Sequence, residues 1–138
     1  MRLYIKQKVI TWRDKFSIYD EKKKEVYKVK GEWISLGNKL HIYDKKGKEV
    51  GLIREKLLKI LEKYEIELEN GENYELKEKI TLISSKYKLE PVDWVIDGGI
   101  LEHNYSIKDG RKTIADIHEK WVSWGDTYCI DIKEKIGY

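Results

Sequence analysis

The sequence predicts an all-β domain, an antiparallel barrel or partly open barrel of about 11–12 short strands in repeated hairpins. Three observations predict it. Lys39 to Lys56, KLHIYDKKGKEVGLIREK, sets apolar-alternating runs on either side of a polar turn with a glycine, a hairpin pattern. The phrase recurs as KFSIYDEKKKEVYKVKGE, KYEIELENGENYELKEK and NYSIKDGRKTIADIHEK, with Phe16, Leu40 and Tyr64 spaced evenly by 24 and Tyr87 opening a weaker copy 23 further on. Trp33-Ile34-Ser35-Leu36-Gly37 also matches Trp121-Val122-Ser123-Trp124-Gly125, so that Leu40, His41 and Ile42 align with Tyr128, Cys129 and Ile130. Repeated hairpins that end as they began are one way to close a sheet and remove its edges.

Taken in order, residues 3 to 12 alternate loosely and predict an opening strand, with Arg13 to Lys15 as a turn. Phe16 to Asp20 is a strand, EKKKE a turn, and Val26 to Trp33 a strand with Tyr27, Val29, Gly31 and Trp33 on one face. Leu36 to Lys39 turns the chain into the Leu40 hairpin. Residues 51 to 63, GLIREKLLKILEK, place Ile53, Leu57, Ile60 and Leu61 at helical spacing, whereas the other copies are β-branched and aromatic here. The repeat favours strand, turn, strand, with a helical turn near Leu57 to Leu61. Tyr64 to Leu68 and Tyr74 to Ile83 flank the Glu69-Asn70-Gly71 turn, and Tyr87 to Leu89 is stopped by Pro91. Trp94 to Ile96 runs into Asp97-Gly98-Gly99, read as a turn. Tyr105 to Ile107 and Thr113 to Val122 make another hairpin, and Tyr128 to Ile132 is the final strand.

With 138 residues and no Pro/Ser/Gly linker, residues 1–138 read as one domain, large enough for a core. No apolar run approaches a membrane span, and MRLYIKQKVITWRDK lacks the apolar region of a signal peptide. The single cysteine, Cys129, excludes an internal disulfide and fits a reducing compartment, so the expected location is cytoplasmic. The 28 basic residues exceed the 25 acidic ones only slightly, so any affinity for polyanions must come from a local cluster.

Chemistry-bearing residues are sparse. His41, His103 and His118 lie in separate hairpins, and alternation turns His41 and His118 outward, so they read as surface residues and no metal site is expected. Cys129 should face away from the Tyr128/Ile130 side, and no motif supplies a base to activate it. Asp109-Gly110 and Asp97-Gly98-Gly99 lack the strand-to-helix setting of a phosphate loop. Trp33, Trp121 and Trp124 recur within the repeat, which favours packing at the core or rim over ligand stacking. No catalytic residue and no cofactor is expected. The one candidate anion-binding feature is a pair of equivalent turns, Lys22-Lys23-Lys24 and Lys45-Lys46-Lys48. Projected from one end, they would form a cluster attractive to anionic head groups, diluted by Glu21, Glu25 and Glu49. The simpler reading is that lysine is an ordinary turn residue in a lysine-rich chain.

The order FSIYD, LGNKLHIYD, GKEVGLIREK, KYEI, VDW, HNYSI and EKWVSWGDTYCIDI resembles the LURP-one-related family of small bacterial proteins, which shares the tubby C-terminal-like fold with phospholipid scramblases. The resemblance implies a closed antiparallel barrel of about twelve strands around a central apolar helix, and no established enzymatic activity. Tubby domains bind phosphoinositide head groups through basic residues, but no lysine/arginine constellation here maps onto that site, so lipid binding rests on analogy of fold. After Ile132 the sequence runs KEKIGY where the family continues into its helix, so the central helix is expected to be missing. Tyr27, Val29, Tyr64, Ile66, Ala115, Ile117, Tyr128 and Ile130 would line the interior. The expectation is collapse of the walls into a flatter sandwich, or self-association or a partner filling the interior. The functional expectation is a non-catalytic cytosolic binding or scaffold domain, associating peripherally with an anionic membrane surface through the lysine turns. Nucleic acid ranks below lipid for want of a motif, and the alternative is a small ligand carrier or enzyme using the barrel interior.

Overall fold

A computed structural model describes residues 1–6, 15–33, 37–56, 63–79, 85–99, 104–122 and 125–133. The strands are β1 (Arg2–Ile5), β2 (Lys15–Tyr19), β3 (Glu25–Glu32), β4 (Lys39–Tyr43), β5 (Glu49–Lys56) and β6 (Lys63–Leu68). They continue as β7 (Asn73–Lys79), β8 (Ser85–Glu90), β9 (Trp94–Gly99), β10 (Asn104–Asp109), β11 (Lys112–Val122) and β12 (Gly125–Ile132). Each strand pairs antiparallel with its neighbours in sequence, and β1 pairs with β12, so the sheet closes into a barrel. Closure is therefore complete, neither partly open nor the flatter sandwich of the sequence reading. The closed ladder gives every described strand a neighbour on both sides, which collapse into two layers would break.

The registers sort the side chains. Val29 opposes Ile42, Leu40 opposes Ile53, Ile53 opposes Ile66, and Ile117 opposes Ile130, so these face inward with Tyr27, Tyr64, Ala115 and Tyr128. Lys30 opposes His41 and Arg54 opposes Glu65 on the outer face. The outer wall from β5 to β9 is laced by ion pairs, among them Arg54–Glu67 at 2.6 Å, Lys56–Glu65 at 3.0 Å, Lys63–Glu75 at 3.0 Å and Lys88–Asp93 at 2.7 Å. The inner wall is less covered. Of the side chains just placed inward, Val29 and Ala115 are buried, whereas Ile42, Ile53, Ile66, Ile117 and Ile130 remain half-buried.

Several elements differ from the sequence reading. Residues 51 to 56 are strand, in line with the repeat; the helical turn expected at Leu57 to Leu61 lies outside the described residues. The opening strand is Arg2–Ile5, with Lys6 already past its end; 7 to 12 of its expected span lie outside the described residues, as do 80 to 83 of the strand expected to reach Ile83. Asp97-Gly98-Gly99 is not a turn: β9 runs through Gly99, pairing with β10. Gly98 is there for space, because a Cβ would overlap the Tyr105 ring and stand 2.7 Å from the Asn104 carbonyl oxygen. Trp33 follows the end of β3 and is 59% exposed, so it does not pack in the core.

Candidate functional site

Because the strands alternate in direction, the connections after β2, β4, β6, β8 and β10 all lie at one end of the barrel. The two lysine turns are therefore on the same end, and β3 pairing with β4 makes them neighbours. They are built alike. Asp20 Oδ1 accepts the backbone N–H groups of Lys22 (2.9 Å) and Lys24 (3.0 Å), and Asp44 Oδ1 accepts those of Lys46 (2.9 Å) and Lys48 (3.0 Å). The Lys23 N–H donates to the Asp20 carbonyl at 3.1 Å, and the Gly47 N–H to the Asp44 carbonyl at 3.0 Å. Each turn needs a left-handed residue, Lys23 (φ 66°) in one and Gly47 (φ 83°) in the other. Lys22, Lys23, Lys24, Lys45, Lys46 and Lys48 are all exposed.

Electrostatics links the two turns. The hydrogen bond from the Lys24 backbone is the main cause holding the Asp20 carboxyl below its ordinary range, and Lys45 from the neighbouring turn adds to it. The three glutamates expected to dilute the cluster are engaged elsewhere. Glu21 accepts the Arg2 N–H at 3.1 Å, Glu25 lies 3.6 Å from Lys28, and Glu49 lies 2.5 Å from His41 Nδ1. Lys48 pairs with Glu69 at 3.1 Å in the next turn, which with Glu72 marks the acidic border of the lysine sector.

The other candidates are dispersed. His41, on the outer face of β4, is clamped by Glu32 (2.8 Å) and Glu49 (2.5 Å), and the bond to Glu32 raises its pKa above the ordinary value. His118 lies on β11, far round the barrel, opposite Asn104 and Cys129. His103 and Trp124 are outside the described residues, and Trp121 is placed only by its backbone in β11. Cys129 does face away from the inner wall, but it is fully buried.

One group escapes the sequence reading. Alternation carries past Ile53, Leu76 and Ile117 to Glu55, Glu78 and Glu119, which sit inward opposite Tyr64, Tyr87 and Tyr128, toward the end away from the lysine turns. The same period-two count that finds the apolar face would find them. They are hidden because REK, KEK and HEK look like solvated strand ends.

Comparison with known proteins agrees with this architecture. The sequence profile of the LURP-one-related family matches residues 1–138. The uncharacterized protein YxjI of Bacillus subtilis (strain 168) is 34% identical over 132 residues, spanning 96% of this chain and 82% of its own. A protein of Arabidopsis thaliana solved by X-ray crystallography superposes with a TM-score of 0.59 at 15% identity, covering 95% of this chain and 78% of its own, which shows the shared fold. A barrel built from repeated hairpins, a profile matched from first residue to last and a bacterial relative alike over 82% of its length lead to one conclusion: the chain belongs to the LURP-one-related family.

Proposed function

We infer that this chain is a non-catalytic binding domain that docks peripherally, from the cytosolic side, on anionic lipid surfaces through Lys22, Lys23, Lys24, Lys45, Lys46 and Lys48. The observation that carries the reading is the junction of two like-built lysine turns at one end of a closed barrel, near enough for Lys45 to act on Asp20. Each lysine close to an anionic bilayer contributes about 1 kcal/mol, less at physiological salt, so six of them give weak and reversible attachment. No helix among the described residues is long and apolar enough to cross a membrane, and this mode of attachment requires none.

Co-sedimentation with phosphatidylserine-containing vesicles tests it. The chain should pellet with them at low salt, pellet several-fold less at about 0.3 M salt, and stay in solution with neutral vesicles. Changing the six lysines to glutamate should abolish pelleting. Unchanged pelleting would remove the turns from the interaction, and preference for single-stranded DNA over vesicles would reassign the cluster to nucleic acid.

A further inference from the structure

The β2–β3 and β6–β7 hairpins share a register but not a charge pattern. In β6–β7, Lys63 opposes Lys77 and Glu65 opposes Glu75 on the outer face. Like charges set directly across a sheet destabilise it. Glu75 relieves that pair, reaching Lys63 at 3.0 Å and Lys77 at 3.1 Å. In β2–β3, Lys15 opposes Lys30 in the same way, but Ser17 and Lys28 stand where the other hairpin has its two glutamates. The repulsion is increased there rather than relieved.

Among the described residues, Lys15 and Lys30 make no ion pair. Lys30 acts on Glu32 only through space, Glu32 being bound to His41 at 2.8 Å, and Lys28 is shared with Glu25 at 3.6 Å. Lys15 and Lys30 border a recess of about 480 Å³ on the outer wall, lined also by Ser17, Lys28 and Tyr43. Its size is that of a small-molecule site rather than of a bare ion. Two uncommitted ammonium groups match a phosphate dianion, and the three terminal oxygens of a phosphate can also accept from Lys28 and the Ser17 hydroxyl. Tyr43, half-buried and stacked with His41 at 6.3 Å, offers a ring surface to the rest of the ligand. Lys30 lies five residues past the start of β3, about 17 Å of strand from the lysine turns at about 3.4 Å per residue. A bilayer met by those turns would not reach the recess, so the ligand is a soluble one.

We propose that the outer-wall recess over β2, β3 and β4 binds a small soluble phosphomonoester, its phosphate taking between Lys15 and Lys30 the place that Glu75 holds between Lys63 and Lys77. Lys28 and Ser17 complete the contacts to the phosphate, and the body of the ligand rests on Tyr43. The site shares no residue with the lysine turns, so its failure would leave the vesicle reading untouched.

Calorimetric titration with phenyl phosphate, benzoate, phenol and inorganic phosphate at matched ionic strength tests it. Phenyl phosphate should bind at least about tenfold more tightly than benzoate, inorganic phosphate more weakly than the ester, and phenol not measurably. K15Q/K30Q, which keeps most of each side chain, should bind phenyl phosphate at least about tenfold more weakly than the native chain. Without ligand it should also melt at a higher temperature, because the opposed charges are gone. The variant with its six turn lysines changed to glutamate should bind phenyl phosphate as the native chain does, and vesicles containing phosphatidic acid should not displace the ester from it. Equal binding by the native chain and K15Q/K30Q, benzoate or inorganic phosphate matching the ester, or no binding of the ester in the millimolar range overturns the proposal. Loss of binding in the six-lysine variant would assign the phosphate to the turns, and displacement by the vesicles would assign it to lipid; either overturns it too. A K15Q/K30Q variant that melts no higher than the native chain removes the repulsion on which it rests.

Discussion

At the scale of single residues, His41 ties β3, β4 and β5 together on the outer wall, and the tie depends on pH. Its partner Glu32 is held below the ordinary carboxylate range, chiefly by the hydrogen bond to His41, while His41 is raised chiefly by the bond to Glu32. The raised histidine contributes stability that is complete below its unfolded value, about 6.5, and is lost as pH rises through the higher folded value. The lowered glutamate contributes stability that is complete above its unfolded value, about 4.3, and is lost as pH falls through the lower folded value. The clamp is therefore strongest between about pH 4.5 and 6.5. Because Glu32 is nearly half exposed, screening by solvent keeps the effect small. Urea denaturation of His41→Ala should show that loss at pH 6 and a smaller one at pH 8.5; an equal loss at both would deny the charged clamp. Lys23 offers a second case. It adopts the left-handed conformation that Gly47 holds in the equivalent turn, so Lys23→Gly should relieve strain and stabilise the chain by up to about 1 kcal/mol, whereas Gly47→Lys should destabilise it by a similar amount. Thermal denaturation midpoints of the two variants check the opposite signs.

At the scale of elements, the strands are legible in the sequence because a half-buried strand writes its two faces as a period of two. The alternation need not be strong for this: Leu40, Ile42, Ile53 and Ile66 suffice to fix the inner face through their registers. The same rule exposes what the sequence hides. Glu55, Glu78 and Glu119 obey the alternation, but their charge argues for solvent, and only a closed wall makes an inward strand end different from a solvated one. Asp97-Gly98-Gly99 misleads for another reason: turn composition and close backbone approach both select glycine, and only the position of the Tyr105 ring separates them. That distinction is measurable. Gly98→Ala should cost about 1–3 kcal/mol, since the added carbon meets the Asn104 backbone as well as Tyr105. Gly51→Ala should cost much less, because its new carbon meets nothing nearer than the Ile42 Cδ1 atom at 3.4 Å. Chemical denaturation of the two variants would refute this account if Gly98→Ala proved the milder.

At the scale of the whole molecule, closure is the part least available to local reasoning, since it depends on two strands at opposite ends of the sequence. Met1 and Ile132 exchange backbone hydrogen bonds, the Ile132 N–H donating to the Met1 carbonyl at 2.8 Å, and β1 pairs with β12 over four positions. Its other joint, to β2, spans only Tyr4 with Tyr19 and Ile5 with Ile18, the shortest ladder among the described residues. Hydrogen exchange should find the amides bridging β1 and β2 opening before those bridging β11 and β12. The seam also has a consequence during synthesis. Every hairpin can form from residues a few positions apart, but the ring cannot shut until the last strand has left the ribosome, so a nascent chain carries a nearly complete sheet with two bare edges. A chain stopped at Val122 would keep that intermediate permanently, and in gel filtration it should elute as oligomers joined edge to edge.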